Sequence, residues 1–297
     1  METTRKLNFP FEGKLFDYLI IGFLIIIYAP LLIHWYDGWL NKSISIEHEY
    51  FSHGMIGIPF AVYITWLKRK KWQRLPDITN PWGGFFLAIG TIMYLTGVPE
   101  LVNVSFPIVL IGICLWLKGL PGLKLLGFPL LLIILATPNS IPYLLTPLTL
   151  PLQKFIAGTA GFFLIQFGID VTVEQIYLAV GGRLVEVAPY CAGLKMLFTS
   201  IYVSLMLLYW TDNHRNQQKV SLLLIGAITI SVTANIIRNT LLTFFHGTGQ
   251  DGLFHWLHDG WGGDVYSALM LGTIIVLLNF LDRGSTQASK SEIEREL

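Results

Sequence analysis

The chain has 297 residues, of which 53% are apolar and only 13% charged, with a mean hydropathy of +0.59. A water-soluble globular protein carries about 25% charged residues, so this composition excludes a soluble body of ordinary surface. A formal net charge of +1 gives no electrostatic footprint for nucleic acid, and two cysteines, Cys114 and Cys191, make no disulfide framework.

A spanning helix needs about 20 mostly apolar residues. In chain order, residues 15–36, 53–67, 81–98, 101–117, 194–210, 220–245 and 263–281 qualify. The first is too long for a signal-peptide core and lacks a small-residue cleavage site, so it reads as a spanning helix. Two further runs are ambiguous. Residues 123–137 are few and contain Pro129; residues 149–168 are long enough but open with Gln153 and Lys154.

Cytoplasmic loops of membrane proteins carry the Lys and Arg excess. The run Lys68-Arg69-Lys70-Lys71, followed by Arg74, marks one such loop. Arg5, Lys6 and Lys14 place the N-terminus inside. Lys118 and Lys124, then Arg215 and Lys219, mark two more inner connections, and Arg283, Lys290 and Arg295 place the tail inside. Fifteen of the 20 basic residues fall in these segments. Both termini inside require an even number of crossings. The expectation is an all-α polytopic membrane protein of about eight transmembrane helices, with 123–137 favoured as a re-entrant or interfacial segment. One membrane domain then covers 1–282, followed by a polar cytoplasmic tail at 283–297.

Residues 169–187 differ in character. Val171, Val173, Ile176 and Leu178 alternate with polar neighbours, then Gly181-Gly182 precedes Leu184, Val185 and Val187. This predicts a small extracytoplasmic β-hairpin turning at the glycine pair. It leads directly into Ala188-Pro189-Tyr190-Cys191.

Three chemistry-bearing residues fall on the predicted outer side: Cys191 at a helix start, Arg238 within a helix and His258 in the loop before the last helix. An arginine at mid-membrane costs about 2.5–3.5 kcal/mol on the insertion scale, so it faces the bundle interior or snorkels to a headgroup. Ser231, Asn235 and Arg238 share one helical face and form a polar stripe. Cys114 lies in an apolar run and reads as a small core residue. Cys191 follows Pro189 and precedes Gly193; a thiol at a helix N-terminus has its thiolate favoured by the dipole, and Lys195 one turn on adds to that. His258 has the chemistry of a general acid and base. His255, His258 and Asp259, with His53 and His246, offer an alternative zinc set, although no His-Glu-x-x-His pattern is present.

Together these segments resemble the exosortase/archaeosortase family, most closely the cyanobacterial exosortases of B type. Tyr50-Phe51-Ser52-His53-Gly54 before an apolar helix, the stretch from Phe128-Pro129 through Gln153 to Phe167-Gly168-Ile169, Val187-Ala188-Pro189-Tyr190-Cys191-Ala192-Gly193-Leu194-Lys195, Asn235-Ile236-Ile237-Arg238 and His258-Asp259-Gly260 carry the likeness. Where the family commonly has Glu-Ala-Cys-Ser-Gly, this chain has Pro-Tyr-Cys-Ala-Gly.

The resemblance implies a membrane-embedded cysteine peptidase or transpeptidase without cofactor or metal. Its partners would be the lipid bilayer and exported proteins bearing a C-terminal transmembrane sorting signal of Pro-Glu-Pro type. The implied site has Cys191 as nucleophile, Arg238 as oxyanion or thiolate stabiliser and His258 as acid/base, supported by Asn235, Lys195, Gly193 and His53. The implied location is the plasma (inner) membrane, with the site on its extracytoplasmic face. The competing readings are a transporter, an intramembrane metalloprotease and a structural subunit of a polysaccharide-export system. A transporter predicts matching broken helices in two halves, and the chain shows no such repeat.

Overall fold

The computed structural model describes residues 12–40, 50–188 and 193–296. Its helices are α1 (Glu12–Leu40), α2 (Gly54–Arg74), α3 (Pro81–Leu95), α4 (Pro99–Ala136), α5 (Ile141–Gln166), α6 (Leu194–Trp210), α7 (Gln217–Gly247), α8 (Asp251–His258) and α9 (Trp261–Glu296). Three short strands, β1 (Val171–Glu174), β2 (Tyr177–Val180) and β3 (Arg183–Glu186), lie between α5 and α6. Local chemistry sets several boundaries. Asn80 caps α3 by accepting from the Trp82 N–H at 3.0 Å, with Pro81 in the first turn. Asn216 caps α7 through the Lys219 N–H at 3.1 Å.

Helix α4 is a folded-back pair. A straight helix of its 38 residues would run about 57 Å, nearly twice the hydrocarbon thickness of a bilayer. It breaks at Gly119, whose φ of 59° and ψ of −153° are non-helical, and Pro121 follows. The first leg is 99–118 and the second 120–136. The legs run antiparallel, because the Glu100 carboxylate near the start of the first accepts the Ser140 N–H, just beyond the end of the second, at 3.1 Å.

Each leg has its own neighbour. Along the first, a Cβ added at Gly83 or Gly90 of α3 would come within 2.4 Å of the Trp116 nitrogen or 2.6 Å of Val109, so bare glycine surfaces let the two helices touch. Tyr28 and Trp35 tie α1 to the same leg through Ser105 (3.1 Å) and Asn103 (2.7 Å). Along the second leg, α2 is fixed by His53 Nε2 donating to the Leu135 carbonyl (3.1 Å) and Lys68 Nζ donating to the Leu125 carbonyl (2.6 Å). Tyr202 of α6 donates to the Leu132 carbonyl of that leg at 3.0 Å.

Residues 123–137, the expected re-entrant or interfacial segment, form most of the second leg, up to Ala136, beside α2 and α6. Residues 149–168 lie mostly in α5, which packs Ile156, Ala157, Ala160 and Leu164 onto Leu178, Val180 and Val187 of the sheet region and Ile236 of α7. Alpha5 thus starts beside Glu100 and ends at the sheet. Its buried Gln153 donates to the Val187 carbonyl at 2.8 Å.

Among the described residues, four helices qualify as membrane spans by length and apolar composition, against the expected eight: Gly22–Leu40, Pro99–Ala136, Gln217–Gly247 and Trp261–Arg283. Alpha3 and α6 are apolar but shorter, α2 ends in a basic run, and α4 counts once although it has two legs.

The expected hairpin is a three-stranded antiparallel meander, in the order β1-β2-β3. Gly181 and Gly182, at φ 59° and 78°, make the β2–β3 turn as expected. A second turn at Gln175, with φ 56°, divides the first half into β1 and β2. The sequence records it: the apolar positions switch from odd (Val171, Val173) to even (Ile176, Leu178). At the end of the bundle remote from the sheet, Lys219 pairs with Asp282 (2.6 Å), and Asn213 bonds both. Residues 284–296, expected as a polar tail, continue α9 as helix.

Candidate active site

Helix α7 presents one buried polar row, with Ser231, Asn235 and Thr243 at 0–1% exposure and Asn239 at 3%. The spacing of four puts them on one face, directed into the bundle. Asn239 Nδ2 donates to the Asn235 carbonyl at 2.9 Å. Arg238 lies beside this row and is half-buried. Its Nη2 donates to the backbone carbonyl of His258 at 3.4 Å, and its Nε is buried with no hydrogen-bond partner among the described residues. The guanidinium therefore faces the α8–α9 junction.

His258 ends α8. Its Nδ1 bonds Asp259 Oδ1 at 2.6 Å, and its ring stacks on Phe254, centroids 5.2 Å apart and 9° from parallel. A carboxylate at Nδ1 favours the tautomer that carries its proton there. Burial raises the Asp259 carboxyl. The hydrogen bonds and charges of His258 and, secondarily, His255 outweigh that and hold it below its ordinary value. His255 is more distant, with Nδ1 3.5 Å from Asp259 Oδ2. His258 is thus nearer than His255 to the carboxylate, and its backbone carbonyl is the one that meets Arg238.

Gly193 opens α6 in the left-handed conformation and is buried against Asn235. Tyr50 and Phe51 pack on the adjoining Leu194. Lys195 is half-buried in the first turn of α6. Cys191, with Pro189, Tyr190 and Ala192, lies outside the described residues. Cys114 is buried in the first leg of α4.

Gly193, Asn235, Arg238 and His258 are thus gathered in one place where α6, α7 and α8 meet. His53 is not among them. It is buried between Tyr202, with ring centroids at 4.4 Å, and Leu135, and its bearing on the site is indirect, through Phe51 and Leu194. Among the described residues no group of three or more His, Cys, Asp or Glu side chains is placed to hold a metal. His246 lies beside Asp251 and packs on Phe254, the ring on which His258 also stacks.

Two site residues escaped the sequence reading. Tyr266 donates to the Ala234 carbonyl at 2.6 Å and lies within electrostatic reach of Arg238. Gly263 lies beside Arg238, where a Cβ would stand at an ordinary contact distance of 3.9 Å from Nη2, but only 2.8 Å from the Leu257 carbonyl. Their spacing from His258 was readable, but nothing in it says that α9 turns this face to α7.

A family model described as transmembrane exosortase matches residues 39–275, well over half of the chain. No curated protein and no solved structure matches it.

Proposed function

Since this chain belongs to the transmembrane exosortase family, we propose that it is a cysteine peptidase or transpeptidase that removes the C-terminal sorting signal of exported proteins through a thioester on Cys191. The family has a membrane protein-sorting role and acts on exported proteins with C-terminal sorting signals. What carries the reading is the convergence of Gly193, Asn235, Arg238 and His258. Cys191 stands two residues before Gly193, and a trans chain spans at most about 7 Å over that interval.

The steps follow from residue types. The Cys191 thiolate attacks the carbonyl carbon of the scissile bond, and the Arg238 guanidinium with backbone N–H groups holds the resulting oxyanion. His258 protonates the leaving amine, the C–N bond breaks and a thioester remains. Water or an amine then attacks the thioester, gives its proton to His258 and releases the thiolate. Asn235 props the turn at Gly193, and Lys195 adds positive charge near the thiol.

The membrane arrangement supported best has eight crossings: α1, α2, α3, the two legs of α4, α6, α7 and α9. Alpha5 and the sheet then stay outside, and both termini lie in the cytoplasm, as the Lys and Arg distribution requires. The site faces the extracytoplasmic side of the plasma membrane. Pro189-Tyr190-Cys191-Ala192-Gly193 fits the cyanobacterial B-type branch.

The test is co-expression with a tagged exported reporter that ends in a Pro-Glu-Pro motif, one transmembrane helix and a basic tail. Wild type is expected to shorten the reporter, and Cys191→Ala to leave it intact though membrane-inserted. Equal trimming by Cys191→Ala overturns the thiol mechanism.

A further inference from the structure

Strand β3 has one edge that pairs with nothing among the described residues. Its register on β2 sets Leu178 opposite Val185 and Tyr177 opposite Glu186. The Val187 N–H donates to the Ile176 carbonyl at 2.8 Å, which makes 187 a hydrogen-bonded position. By alternation Val185 and Arg183 are hydrogen-bonded too, and Leu184 and Glu186 are not. The main-chain N–H and C=O of Leu184 and Glu186 therefore point away from β2. Both side chains are exposed, Leu184 at 62%.

This edge has a fixed path. At its start, Arg183 donates to the His246 carbonyl (3.2 Å) and to Asp251 (2.6 Å), which binds it to the end of α7 and the start of α8. Beyond its end, the chain resumes at Gly193 on Asn235. Positions 246 and 235 of α7 are separated by about 16 Å along the helix axis. The two described anchors, Arg183 at His246 and Gly193 at Asn235, thus lie on the half of α7 that carries Arg238, and Cys191 falls between them in sequence.

We propose that the edge of β3 binds the substrate: the extended segment of an exported protein, just ahead of its transmembrane helix, adds as a fourth strand on Leu184 and Glu186. The inference rests on the proposed function and extends it. Strand addition takes its affinity from main-chain hydrogen bonds, so one edge serves many exported proteins. It also holds the peptide extended, as attack on a backbone carbonyl needs, and aligns it with a strand that runs on into the nucleophile segment. Continuity with that segment favours a substrate over a second copy of the chain. The flanking charges of Arg183 and Glu186 on a strand of only four residues oppose edge-to-edge self-pairing.

Proline at an outward position deletes one edge N–H and leaves the β2 ladder whole. Leu184→Pro and Glu186→Pro are each expected to slow reporter trimming at least 10-fold at wild-type membrane levels. Leu184→Ala and Glu186→Ala, which keep the N–H, are expected to stay within twofold. In the Cys191→Ala background, a photocrosslinking residue at 184 is expected to capture the reporter. That capture decides the matter if a proline variant fails to accumulate. Wild-type rates in both proline variants, or capture of a second copy or of residues 41–49 instead of the reporter, overturn the inference. Trimming by Cys191→Ala itself overturns the peptidase reading; its loss together with active proline variants overturns only the docking edge.

Discussion

Gly193 rests directly on Asn235: a Cβ at position 193 would come within 2.7 Å of the Asn235 side-chain carbon, and the backbone there has a φ of 82°. The position thus excludes a side chain twice, by space and by conformation. Left-handed backbone at a non-glycine residue costs about 1–3 kcal/mol before any clash. Gly193→Ala is expected to lower reporter trimming at least 10-fold, and Asn235→Ala in the same chain to restore part of it by removing the obstructing amide. Trimming rates of the single and double variants, normalised to membrane protein, check this. Wild-type activity in Gly193→Ala would mean that the Gly193–Asn235 contact does not set the cysteine segment.

Arg238 is tested by chemistry, not size. Its Nη2 is directed to the His258 carbonyl, and its buried Nε has no hydrogen-bond partner among the described residues, so the planar fork presents donors in two directions. A lysine offers one compact ammonium and no fork. Arg238→Lys is expected to lose about 100-fold or more in trimming rate, close to Arg238→Ala, as removal of an oxyanion donor does. Full activity in Arg238→Lys would discard the fork and leave a simple charge requirement.

How far the sequence foretells this arrangement depends on what each element uses. Arg238 and the buried row at 231 and 235 are legible because a charge inside an apolar helix has few places to go. His258 is legible by its motif, while its bond to the adjoining Asp259 and its stacking on Phe254 one turn back depend on local geometry that the motif does not state. The folded-back α4 is only half legible. Gly119 and Pro121 mark a break, yet an apolar run beyond a break does not say whether it turns back or crosses. Alpha5 is the harder case. Its apolar face is as good as a spanning helix's, and only the buried Gln153, bonded to the Val187 carbonyl, shows that its partner is the sheet. The β1–β2 turn lay in the changed phase of alternation, which a glycine pair nearby outweighs as a turn signal.

Tyr266 predicts a smaller, positional effect. Its hydroxyl donates to the Ala234 carbonyl at 2.6 Å, one helical turn before Arg238, and so fixes α9 against that turn of α7. A hydrogen bond of this kind contributes about 1 kcal/mol. Tyr266→Phe is expected to slow trimming about fivefold, with the folded amount in the membrane little changed. Because Arg238 remains in place, the residual activity should still vanish in Arg238→Ala. A Tyr266→Phe variant with wild-type rate would leave the hydroxyl a packing detail.

The His258–Asp259 pair carries the pH prediction. The Asp259 carboxyl is held below its ordinary value, near 4 for an aspartate, so its folded form is the easier to ionise. The stabilisation this gives is complete above the ordinary value and is lost as pH falls through the lowered one. Asp259 stays charged throughout pH 5–8, and its hydrogen bond to Nδ1 keeps His258 in one tautomer over that range. Asp259→Asn removes the charge and allows the amide to present its N–H to the ring. It is expected to lower trimming by about 100-fold or more at neutral pH, as loss of the orienting carboxylate does in Ser-His-Asp triads. Reporter trimming in permeabilised cells between pH 4 and 8 checks both parts. Wild type should show no loss attributable to the carboxylate above pH 5, and Asp259→Asn should be low at every pH. A variant that recovers full rate at any pH in that window would show that His258 needs no carboxylate to orient it.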